Sequence, residues 1–272
     1  DLSPSAWLDL ALRELPAEGD DITVTGLLGN LLTALRWYLR EDEREGLQSR
    51  VETMLEAQMH GAETLSQRIA YFRAYVAASR SAQARATLKR LLAGASQVPG
   101  LTLRSAERYR ILGALTAAAD ADAPALLAAE TAADTTDDGR RFAYAARAAR
   151  PDPTHKAAYF EAYLHDPALP ERWIEESLPA FNQVEQEGLT LAYLERALLA
   201  LPRLKRERRI FFVNGWLAAF IGGQRSAAAM DVVERFLQRE DLDIDLRRKI
   251  LEAADGLRRT VRIRGRQGPP AP

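Results

Sequence analysis

Apolar residues recur along this chain at helical spacing. Leu246, Ile250, Leu251, Ala254, Leu257 and Val261 advance by four, one, three, three and four positions. That rhythm lays one apolar stripe along a helix turning every ~3.6 residues. Val232, Val233, Phe236 and Leu237 draw the same stripe one helix earlier, and Leu88, Leu91 and Leu92 draw it again nearer the N-terminus. The strict alternation of a half-buried strand is nearly absent. Val, Ile and Thr are sparse beside Ala, Leu, Arg and Glu, which favour helix.

Turn and cap residues cut the pattern into short pieces. Ser81 fits the N-cap of a helix closing near Gly94, Ser226 follows Gly222-Gly223, and Asp243 precedes the last long helix. Pro151-Asp152-Pro153, Pro167, Pro170 and Pro202 are further breaks, because proline lacks the N–H that a helix interior requires. The punctuation predicts about a dozen helices of roughly 10–18 residues joined by short loops.

Many short helices without strands leave two arrangements, a compact bundle or stacked antiparallel helix pairs. Helix–turn–helix units recur from about Ser105 to Asp166, and residues 114–149 hold 16 alanines in 36 positions, which lets helices approach closely. The expected fold is therefore all-α, an irregular solenoid of the HEAT or armadillo kind forming a bowl. One helical-repeat domain is expected over 1–264, with G-R-Q-G-P-P-A-P (265–272) as a flexible tail.

Composition narrows the chemistry. The 272 residues are 47% hydrophobic and 28% charged, with no cysteine and three histidines. That length is enough to bury a sizeable core. The absence of cysteine excludes disulfides, thiolate metal sites and a cysteine nucleophile. A net charge of −1 supplies no general attraction to nucleic acid or to an anionic membrane. The opening D-L-S-P-S-A-W-L-D-L-A-L has no signal-peptide pattern. The longest strongly apolar run, Ile210 to Ile221, is shorter than the roughly 20 residues of a membrane span. These features favour a cytoplasmic location, and the start at Asp1 reads as a fragment of something longer.

Catalytic motifs are missing. No two of His60, His155 and His165 stand four apart as a helical zinc pair requires. His60 and Glu63 make half a motif, and a solvated helix face accounts for them. Phosphate loops and a nucleophile elbow are absent. Asp134-Thr135-Thr136-Asp137-Asp138-Gly139 resembles a calcium loop but lacks its terminal glutamate; a helix end, a turn and the next N-cap describe it better. No catalytic, cofactor or metal residue is assigned.

Two charged segments remain. Lys205-Arg206-Glu207-Arg208-Arg209 runs into Ile210-Phe211-Phe212-Val213-Asn214-Gly215-Trp216-Leu217. A helix apolar on nearly all sides is expected to be buried. Cations at its start oppose the helix dipole, which favours negative charge there. Lys205, Arg208, Arg209 and Asn214 are accordingly candidate contacts for a peptide or a neighbouring domain, against the simpler reading of a solvated helix end. The second segment holds Arg247, Arg248, Lys249, Arg258, Arg259, Arg262, Arg264 and Arg266. Without interleaved exposed aromatics it is expected to form ion pairs rather than to bind RNA.

Several segments in order carry a resemblance: D-T-T-D-D-G-R-R (134–141), A-R-P-D-P-T-H-K (149–156), L-P-E-R-W-I-E-E-S-L (169–178), P-A-F-N (179–182), L-T-L-A-Y-L (189–194), L-K-R-E-R-R-I-F-F-V (204–213), W-L-A-A-F-I-G-G-Q (216–224), D-L-R-R-K-I-L (245–251) and D-G-L-R-R-T-V-R-I-R (255–264). From about Leu65 to Arg264 the chain resembles the C-terminal helical domain of M1-family zinc aminopeptidases, the family of aminopeptidase N and the endoplasmic reticulum aminopeptidases. Neither that family's exopeptidase motif nor its zinc-binding H-E-x-x-H is present here. The resemblance implies a non-catalytic lid over an active-site chamber, partnered by an upstream catalytic domain that holds the zinc and by the peptide whose N-terminal residues the parent enzyme removes. No nucleic-acid or membrane contact is expected, on the charge balance and apolar-run length given above. A free-standing helical-repeat scaffold for a protein partner is the alternative.

Overall fold

The computed structural model describes residues 2–266. They contain fifteen α-helices and no strand. Contacts divide the chain into two compact units, one up to Leu115 and one from Thr116 on. Within each unit the helices pack in pairs, the arrangement of an all-α, solenoid-like fold.

The first unit begins with α1 (Pro4–Glu14) and α2 (Asp21–Thr33), the latter extended by a π-helical stretch, Ala34–Tyr38. Helices α3 (Glu41–Gly61), α4 (Leu65–Ala78) and α5 (Ala82–Leu92) follow, and then α6 (Ser105–Ala117). Oxygen caps start most of them: Ser3 accepts from the Ala6 N–H, Asp20 from Thr23, Thr64 from Gln67 and Ser81 from Ala84. Each bond satisfies a backbone donor that the first helical turn leaves unpaired. Helix α4 packs against both α2 and α3, and the buried set includes Leu28, Leu31, Leu55, Tyr71, Phe72 and Tyr75. The predicted closure near Gly94 is present, with Gly94 at φ +72°, a left-handed conformation that glycine adopts without strain.

The second unit contains α7 (Ala123–Ala133), α8 (Asp137–Ala148), α9 (Pro153–His165), α10 (Glu171–Phe181) and α11 (Glu187–Leu199). It continues with α12 (Leu201–Glu207), α13 (Ile210–Gly222), α14 (Ala227–Leu237) and α15 (Ile244–Arg266). The predicted caps hold: Ser226 accepts from the Ala229 N–H, and Asp243 from Leu246. The loop resembling a calcium site is the junction of α7 and α8, where Thr136 caps α8 and donates to Asp134. Helix α15 keeps Leu246, Ile250, Ala254 and Leu257 buried, as its stripe predicts, whereas Leu251 is exposed. At 21 and 23 residues, α3 and α15 exceed the predicted range. The expected tail lies, from residue 267 on, outside the described residues.

Helix α13 is central to the core of this unit. Phe212, Trp216 and Phe220 are buried with Phe160, Tyr163 and Phe181. Trp216 stacks on Phe212 at 5.9 Å, and its indole N–H donates to the Ala197 carbonyl at 3.0 Å. Full burial of each such ring contributes roughly 1.5–3 kcal/mol relative to exposure. The expectation that the aromatics of Ile210 to Leu217 are core therefore holds for Phe212 and Trp216 but not for Phe211, which is 79% exposed.

Candidate functional site

The four candidate contact residues lie where α12 gives way to α13. Pro202 in the first turn of α12 and the extended backbone at Arg208 confine that helix to seven residues. Lys205 does not face outward unattended. Its Nζ lies 2.6 Å from Asp243 Oδ1 and 3.2 Å from Asp245 Oδ2, tying α12 to the start of α15. The hydrogen bond to Asp243 raises the Lys205 pKa above the ordinary lysine value and holds the Asp243 carboxyl below its own. Arg208 meets Glu171 of α10 at 3.2 Å, with its guanidinium over the Phe212 ring at 5.4 Å. Asn214 accepts from Lys249 of α15 at 3.2 Å.

Arg209 differs from the other three. It occupies the N-cap of α13 with no side-chain cap bond, and its guanidinium has no hydrogen bond or ion pair among the described residues. The first turn of α13 then exposes Ile210 (45%) and Phe211 (79%). A free cation beside exposed apolar surface can meet a carboxylate and an apolar side chain together. Sequence spacing grouped these four residues but not their partners, which lie 35 to 38 positions away in Glu171, Asp243 and Lys249.

Two polar features of the second unit escaped sequence reading. Lys156 is fully buried in α9, donating to the carbonyls of Ala148 and Phe181 at 2.8 and 2.7 Å. These are the last residues of α8 and α10, whose free carbonyls attract a cation. The Phe181 ring lies 4.8 Å from Nζ. Burial pushes the ammonium pKa down to about 7. The second feature is Glu187, whose Oε1 accepts from the backbone N–H groups of Arg225 and Ser226 at 3.0 and 2.8 Å.

Among the described residues no group of three or more His, Cys, Asp or Glu side chains converges as a metal site. His60 lies in the last turn of α3, His155 in the first turn of α9, and His165 ends α9. No described helix is long and apolar enough to cross a membrane.

Comparison with known proteins adds two findings. Residues 1–259 match the family described as ERAP1-like C-terminal domain. Over 264 residues the chain is 28% identical to aminopeptidase N of Streptomyces lividans, a stretch that is 96% of this chain and 31% of that protein. The chain thus spans about a third of the length of this relative.

Proposed function

Because the chain belongs to the ERAP1-like C-terminal domain family, we propose that it is the non-catalytic C-terminal domain of a longer M1-type zinc aminopeptidase. In this reading it closes over the chamber in which a separate catalytic domain removes N-terminal residues from peptides. The observation that carries the proposal is the extent of the family match, over residues 1–259, in a chain equivalent to less than a third of its aminopeptidase N relative. The all-helical build supports it.

The physical role is that of a lid. A helical domain over an active site excludes water and limits which substrates enter, while the bond-breaking groups and the zinc stay in the other domain. Arg209, with Ile210 and Phe211 beside it, is the element of the α12–α13 junction that meets the peptide or the catalytic domain. Lys205, Arg208 and Asn214 hold that junction against α10 and α15. The coding sequence upstream of Asp1 tests the reading. An H-E-x-x-H helix with a downstream glutamate is expected there, and a start codon at Asp1 would replace the lid with a free-standing scaffold.

A further inference from the structure

A cavity of about 540 Å³ opens in the second unit, between α7 and the junction of α8 with α9. Its volume falls within the roughly 300–1,000 Å³ of small-molecule sites. Pro124, Leu127 and Ala128 of α7 form an apolar wall, and Arg147, Arg150 and His155 contribute polar groups. None of the residues of the α12–α13 junction lines it.

The arginines of this cavity are not bridged to its carboxylates. Arg147 donates only to the Thr131 hydroxyl, at 3.2 Å, and neither Arg147 nor Arg150 has an ion pair among the described residues. Several other arginines of the unit find carboxylates, as Arg196 does with Glu161 and Arg208 with Glu171, while others, such as Arg209, do not. Two acids also line the cavity, and both accept from backbone: Asp152 from the His155 N–H at 2.7 Å, Asp120 from the Asp122 N–H at 3.1 Å. His155 is fixed as well. Its Nε2–H donates to the Arg147 carbonyl at 2.9 Å, and its ring rests on Tyr159 at 4.7 Å.

Backbone strain lies at the same place. Ala119, in the lining, has φ +52° and is the one described residue other than glycine with positive φ. Such a conformation is unfavourable for an L-residue, and strain of this kind gathers at binding sites.

From two unpaired guanidinium groups beside an apolar wall we infer that this cavity binds a small organic acid, its carboxylate on Arg147 and Arg150 and its compact apolar group against Pro124, Leu127 and Ala128. Arginine suits a carboxylate because its planar fork offers parallel N–H donors. Asp120 and Asp152 repel a second negative charge, so the site favours a monoanion over a dianion. This inference stands apart from the lid proposal, since it uses only residues of the second unit and needs no catalytic domain.

The test is isothermal titration of the full chain with sodium hexanoate, inorganic phosphate and hexylamine. Saturable hexanoate binding is expected at a Kd of ~1 mM or below, tighter than phosphate, with hexylamine not binding. Arg147→Gln with Arg150→Gln should weaken hexanoate at least ~10-fold, the loss of charge-assisted hydrogen bonds. Arg73→Gln, which removes an exposed arginine of the first unit without an ion pair, should leave binding unchanged. Both cavity arginines are exposed, so melting temperatures should hold across the variants and keep the comparison interpretable. Absence of saturable hexanoate binding overturns the inference. So does unchanged affinity in the double variant, or phosphate binding more tightly than hexanoate.

Discussion

Lys156 shows how a single residue couples the fold to pH. Its ammonium is fully buried and its pKa is pushed down to about 7 by that burial. In the unfolded chain it returns to the ordinary lysine value of 10.5. Below pH 7 both states hold the proton, and this group adds no pH dependence. Between about pH 7 and 10.5 the unfolded state binds more protons, so stability rises with pH. Urea unfolding at pH 7 and pH 9 should show that rise, and Lys156→Met should reduce it. Two adjacent glycines give a second residue-scale prediction. A Cβ at Gly223 would lie 2.5 Å from the Asn182 carbonyl oxygen and 2.8 Å from that of Ala219, whereas one at Gly222 meets nothing within 4 Å. Gly223→Ala should therefore cost ~1–3 kcal/mol. Gly222→Ala should be neutral or gain up to ~1 kcal/mol by helix propensity, both read by urea unfolding. At this scale the caps at Ser81, Ser226 and Asp243 were legible, because capping is local chemistry. The burial of Lys156 was not: A-R-P-D-P-T-H-K reads as a polar turn, and its acceptor at Phe181 lies 25 positions away.

At the scale of elements, the two units use one device twice. Glu52 Oε1 accepts from the N–H groups of Arg80 and Ser81 ahead of α5, at 2.6 and 3.1 Å. Glu187 Oε1 does the same for Arg225 and Ser226 ahead of α14. The sequences agree, R-S-A-Q-A at 80–84 and R-S-A-A-A at 225–229, with Ser81 and Ser226 as the N-caps. The carboxylate thus satisfies the backbone just before each helix, and the serine satisfies its first turn. Glu187→Ala strips both donors of their acceptor and removes the carboxylate that lies 3.8 Å from the buried Arg225 guanidinium. It should cost about 2–4 kcal/mol in urea unfolding, with Glu187→Gln, which keeps one oxygen, costing less. The repeat was present in the sequence as R-S-A-x-A, but a helix-period search skips it, because the match lies in the cap rather than in the apolar stripe. The stripes themselves were readable in α5, α14 and α15. Helix α13 was readable in part: its all-round apolarity predicted burial, yet its first turn leaves Ile210 and Phe211 exposed.

For the whole molecule, the all-helical class followed from periodicity, since nothing in the chain competes with it. The missing cysteines and scattered histidines are equally readable in the sequence, and no catalytic residue is assigned from them. What no local pattern carries is which cations remain unpaired, because that depends on partners brought together by packing. Lys205, Arg208 and Asn214 are held by their neighbours, so in the proposed lid role Arg209 is the junction residue that acts beyond the unit. On the proposed lid role, Arg209→Ala in the complete polypeptide should raise KM for long peptides by up to ~5-fold, the worth of one exposed charged contact. It should leave kcat for a single amino-acid amide unchanged; steady-state kinetics on both substrates checks this. The central claim, that this chain performs no chemistry of its own, is tested most directly by measuring bound zinc and aminopeptidase turnover together, on this chain alone and on the complete polypeptide. The account predicts one zinc per molecule and turnover for the complete polypeptide, and neither for the chain alone. Stoichiometric zinc with turnover in the isolated chain would contradict it.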